Sequence, residues 1–211
     1  MEEISEILFI CIVMPMIPML FVLPDKRSRL FLGYLMIGAL ICLLAGALNM
    51  ILLEYFNNDL LYVTTTITPI TEEMLKALPV LYLAIFFTDD RETLLSASFA
   101  LGVGFAVLED AVILVQNTHG ITISWAFARV IGAALMHGAC TSTIGMGMSY
   151  IHKRRKLFFC GTFALLIAAV LFHATFNVLV QSSFHIIAFI LPMSLYLPVI
   201  IAQIRRRRAN R

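Results

Sequence analysis

The sequence predicts an all-α fold, a polytopic transmembrane helical bundle of about seven spans with its N-terminus out and its C-terminus in. Three observations carry that expectation. Hydrophobic residues make up 61% of the 211 positions and charged residues 13%, whereas an ordinary soluble domain is about 45–50% apolar and about 25% charged. The apolar residues gather into long segments, and most of the 15 Lys and Arg gather into three short clusters. A 23.6 kDa globule with a mean hydropathy of +0.94 lacks the polar residues needed to face water. A soluble enzyme and a disordered chain are both excluded. A span needs about 20 apolar residues, so the length is consumed by spans and short loops, in a single membrane-embedded domain over 1–211.

The apolar segments run over 4–23, 30–53, 63–87, 93–115, 124–151, 157–181 and 184–204. The first follows Met1-Glu2-Glu3, with no basic region, and so reads as a span rather than a cleaved signal peptide. Pro24 to Arg29 ends it, and the second segment runs on to the polar break Glu54 to Asp59. The third is irregular. Thr68-Pro69 reads as an N-cap followed by proline at the first helical position, with Val63 to Ile67 entering as a partly non-helical stretch and Pro79 kinking the helix. Irregular backbone at membrane depth is tolerated only where protein or a water-filled cavity covers it, which points to a cavity beside Glu72 and Glu73. The fourth segment lies between the breaks Thr88 to Glu92 and Gln116 to Gly120. The fifth holds the small-residue run Gly138 to Gly147, which permits close helix packing. The sixth follows His152 to Lys156, and the seventh follows Gln181 to Ser183.

Charge placement orients the bundle. Lys26, Arg27 and Arg29 form one basic cluster, Lys153 to Lys156 a second, and Arg205 to Arg208 with Arg211 a third. Cytoplasmic loops are enriched in Lys and Arg. Placing these clusters inside leaves only Lys76 and Arg129 of the 15 basic residues away from that side, and requires an odd number of spans. The arginine tail then reads as a topology anchor in contact with anionic lipid, with no nucleic acid as partner. Cys11, Cys42, Cys140 and Cys160 lie in or beside apolar runs without CxxC spacing, as small buried hydrophobes. His119, His152 and His185 fall at helix ends, at the interface.

The chemistry lies in ionisable residues inside the apolar segments: Glu72, Glu73, Lys76, Glu109, Asp110, Arg129, His137 and His173. Each costs at least about 2–3 kcal/mol at the bilayer centre and normally faces the bundle interior with a partner. Glu72 and Lys76 stand four residues apart on one helical face and are expected to pair, with Glu73 turned about 100° away. Glu109 follows Phe105 by one turn, and His173 and Asn177 share a face of their helix. Arg129 is expected to pair with Asp110 or Glu109. At 1.5 Å rise per residue these groups lie roughly 9–20 Å below the outer surface, delivered there by four helices.

The set Glu72-Glu73-x-x-Lys76, Phe105-x-x-x-Glu109, His137 and His173-x-x-x-Asn177, in that order on successive helices, resembles the PrsW family of intramembrane proteases. More widely it resembles the type II CAAX prenyl protease and Abi superfamily, where the second motif usually ends in His rather than Glu. The resemblance covers about residues 68–180, the expected catalytic core. It implies peptide-bond hydrolysis by a water activated inside the bilayer. Glu72 with Glu109 would act as general base, and His173 and Asn177 would donate to the oxyanion. Lys76 would support Glu72, Glu73 would be a second acid, orienter or proton carrier, and His137 a water ligand or a partner to one. A glutamate-dependent mechanism without a cofactor leaves each residue a role and is favoured. The zinc alternative uses His137 and His173 with one of Glu72, Glu73 or Glu109, Glu109 foremost, although no HExxH pair is present. The resemblance also implies a membrane-anchored protein substrate, for example an anti-sigma factor cut at the first step (site 1) of regulated proteolysis, and a multi-pass place in a bacterial or archaeal cell membrane. The rival reading is a small proton- or cation-coupled transporter using the same acids and histidines as a relay. It predicts inverted repeats or paired broken helices, of which the sequence shows a single broken segment.

Overall fold

The computed structural model describes residues 3–117, 122–184 and 186–197. His119, His185 and the arginine tail lie outside them. Among the described residues the chain is helical with no strand. The helices are α1 (Ile4–Val22, with one 3₁₀ turn at Met14–Met16), α2 (Lys26–Tyr55), α3 (Thr68–Phe86), α4 (Arg91–Gln116), α5 (Ile123–Met148), α6 (Thr162–Val180) and a shorter α7 (Ile186–Leu197). Among the described residues five stretches are long and apolar enough to cross a membrane: Ile4–Val22, Lys26–Tyr55, Arg91–Gln116, Arg129–Met148 and Leu157–Val180. That is fewer than the seven spans expected. Helix α3 carries Glu72, Glu73 and Lys76, and the described part of the last apolar segment is short.

Helix starts follow local chemistry. Asp25 and Asp90 cap α2 and α4, accepting from the Ser28 and Thr93 backbone N–H at 2.8 and 2.9 Å. These hydrogen bonds hold both carboxyls below their usual pKa, so the caps are strongest above the ordinary aspartate range and weaken as pH falls through the lowered value. Asn57 and Asn58 turn the chain after α2 with φ of 55° and 61°, the left-handed region that asparagine tolerates.

The entry to α3 differs from expectation. Val63–Ile67 is a π-helical turn, not a non-helical stretch, and Thr68 makes no side-chain cap. The Thr68 N–H reaches back five residues to the Val63 carbonyl. Pro69 has no N–H to continue a tight ladder, so the wider turn sits immediately before it. Pro79 lies within α3, and its carbonyl accepts from the Tyr34 hydroxyl at 3.0 Å.

Helix α4 is central, packed between α2 and α5, with α3 and α6 completing the site on α5 and α1 lying outside against α2 and α4. Lipid provides no hydrophobic drive between helices, so close backbone approach holds them. Glycines permit it. A Cβ on Gly38 would strike the Leu101 carbonyl, one on Gly104 the Leu35 carbonyl, and one on Gly102 the His137 carbonyl. Within the expected small-residue run, Gly138 meets Phe99, Gly145 meets Ser98 and Gly147 meets Thr162. Helix α7 seals this side, with the Tyr196 hydroxyl donating to the Leu135 carbonyl at 2.9 Å. Lys153 donates to the Asp89 carbonyl at 2.6 Å, tying two loops together at one end. The four cysteines are free.

Replacing Gly104 by Leu forces α2 and α4 apart and should cost about 1–3 kcal/mol or more. Gly46→Ala, where a Cβ meets nothing, should be neutral or stabilise by up to about 1 kcal/mol. Melting of the detergent-purified variants measures both.

Candidate active site

Helix α3 aims its two acids in different directions. Glu73 and Lys76 are fully buried, and the ammonium donates to Glu73 Oε1 at 2.6 Å. This corrects the expected Lys76–Glu72 pair. Positions three and four apart are both neighbours on a helix, and here Glu72 is engaged elsewhere. Its Oε1 accepts from the Asn49 amide of α2 at 3.4 Å. Thr71 orients that amide by donating its hydroxyl to Asn49 Oδ1 at 2.8 Å.

Lys76 also joins α3 to α5, with its nitrogen 2.7 Å from His137 Nδ1 and 4.5 Å above the centre of the Phe105 ring. An ammonium has only donors, so Nδ1 accepts and the ring proton belongs on Nε2. That Nε2 stands 2.9 Å from Glu109 Oε2 of α4. His173 of α6 meets the cluster from the other side. Its Nδ1 donates to Glu73 Oε1 at 2.9 Å, and its Nε2 faces Glu72 Oε2 at 3.8 Å. The two imidazole rings meet edge to face, 4.8 Å between centres.

Four helices thus bring Glu72, Glu73, Lys76, Glu109, His137 and His173 into one connected cluster. Asn177 is placed differently. Its amide donates to the Thr64 carbonyl in the π turn at 2.9 Å, and Gln181 one turn further donates to the Thr64 hydroxyl at 3.1 Å. Arg129 donates from Nε to Asp110 Oδ1 at 3.0 Å, as expected, with Nη2 3.9 Å from Glu109 Oε1. Asn49 and Thr71 were missed by sequence reasoning. The available signal was a lone amide inside an otherwise apolar run.

Donor atoms of Glu72, His137 and His173 all lie within 4.8 Å of one another, each residue buried. The expected third ligand, Glu109, is not in this group; it is bound to His137 and lies a quarter exposed. Two local features suit a cation. Glu72 Oε2 is buried without a hydrogen-bond partner. His173 gives its Nδ1 proton to a carboxylate and so presents an Nε2 lone pair, the arrangement of metal-ligating histidines. Two imidazoles and a carboxylate form a donor set of catalytic zinc sites.

No curated protein and no solved structure matches the chain. Residues 26–203 match the family described as PrsW family intramembrane metalloprotease. With its acids and histidines gathered among apolar helices and most of its length matched, the chain belongs to the PrsW family of intramembrane metalloproteases.

Proposed function

We propose that the protein is an endopeptidase that hydrolyses a peptide bond of a membrane-anchored protein, with a divalent cation held by Glu72, His137 and His173. The convergence of those three donor sets within 4.8 Å, from three helices, carries this reading over the glutamate-only one. Zinc bound there would supply Lewis acidity to the scissile carbonyl and the attacking water. The His137 lone pair, on Nδ1, faces Lys76, so holding a cation there would displace that contact.

The chain's own residues do the rest. Glu109, the acid most open to water, is the general base. Glu73 fixes the tautomer of His173, and Lys76 neutralises the Glu73 carboxylate. Asn177 donates to a carbonyl in the π turn, and a substrate carbonyl that displaces Thr64 would receive that amide. The catalytic core runs over 68–180, with Asn49 reaching in from α2. With the basic loops cytoplasmic, the site faces the outer side. That suits a single-span substrate, such as an anti-sigma factor, cut near its outer membrane boundary.

Purified protein mixed with single-span substrates tests the reading. Glu72→Gln and His173→Ala should each lower cleavage at least about 100-fold. A chelator should abolish it and added zinc restore it; cleavage that survives chelation returns the mechanism to glutamates alone. Cleavage unaffected by either substitution rejects the site. Lys76→Met leaves the Glu73 charge buried and unpaired and should destabilise the fold by about 3–5 kcal/mol. Glu73→Gln added to it should recover most of that loss in a thermal melt while leaving activity low.

A further inference from the structure

Arg129 belongs to none of the four motifs, yet it touches the site. We propose that Arg129, anchored by Asp110, is a positioning residue that sets the orientation of the Glu109 carboxylate toward His137. The inference rests on the protease reading and on Glu109 as its base.

The two oxygens of Glu109 are divided between partners. Oε2 lies 2.9 Å from His137 Nε2, and Oε1 faces Arg129 Nη2 at 3.9 Å. Glu109 makes no other hydrogen bond among the described residues and its side chain is 24% exposed. Without the guanidinium, a single contact to His137 would hold it, and the carboxylate would be free to swing toward water. Arg129 is itself fixed. Its side chain is only 11% exposed and bonds Asp110, which is 2% exposed. Among the described residues Asp110 has no other partner, and its Oδ2 is unbonded. A buried carboxylate committed to one guanidinium serves to hold that guanidinium in place. Because Glu109 and Asp110 are consecutive on α4, one rigid fork from α5 addresses both, which a lysine's point charge cannot do.

The test uses a fluorogenic single-span peptide that the wild-type protein cleaves in lipid vesicles. Absence of wild-type cleavage, or cleavage untouched by His173→Ala, would sink the protease reading before Arg129 is consulted. Given that cleavage, Arg129→Gln should lower kcat about 10–100-fold with KM unchanged, the range for residues that orient a reacting group. Arg129→Lys, which keeps the charge opposite Asp110, should keep the wild-type melting temperature and still lose kcat. In a Glu109→Gln background, Arg129→Gln should cost almost nothing more, because both changes remove one unit. Wild-type kcat in the lysine variant overturns the proposal. So does a full additional loss when Arg129→Gln is placed on Glu109→Gln, since a purely architectural ion pair would behave that way.

Discussion

An ammonium shut away from water inside an apolar bundle must be answered by an opposite charge, and here Glu73 answers Lys76. The rest of the site is arranged around that pair. Lys76 reaches His137 on α5, Glu73 reaches His173 on α6, and the aromatic face of Phe105 on α4 covers the ammonium. Since a buried pair is costly to break by removing one member, these contacts act as pins between helices that lipid alone would not drive together. The same low-dielectric surroundings that make the charges expensive also make their positions definite.

The ionisable groups of the cluster are therefore held by helices rather than by loops. Each of these side chains sits on a helix, and each imidazole has one nitrogen assigned by a charged neighbour. Glycine contacts bring the backbones of α2, α4 and α5 close, and the short side chain of Asn49 on α2 reaches Glu72 on α3. Packing and chemistry are thus the same constraint seen at two scales.

Much of this was legible in the sequence, because charge inside an apolar segment is conspicuous. Glu72, Glu73, Lys76, Glu109, His137 and His173 were all expected to converge, and the pairing of Arg129 with Asp110 was anticipated. Finer choices were not legible. Spacing cannot decide whether Lys76 meets the acid three or four residues before it; the position of Asn49 on another helix decides that. The π turn before Pro69 was read as irregular, yet a missing N–H does not reveal that the backbone widens instead of unwinding. Asn177 was expected to face the reaction, but its amide is taken by a carbonyl that no pattern of residue types would have nominated. The seven expected spans are matched by five among the described residues, because Glu72, Glu73 and Lys76 lower the apolar character of α3 and part of the last apolar segment lies outside them.

The clasp between α6 and the π turn has a mechanical consequence. Asn177 and Gln181 fasten one helix to Thr64 by two hydrogen bonds, and His173 lies one turn deeper on that same rod. Any tilt of the C-terminal end of α6 carries the imidazole with it. The imidazole and the backbone just ahead of Pro69 are thereby yoked to one rigid rod.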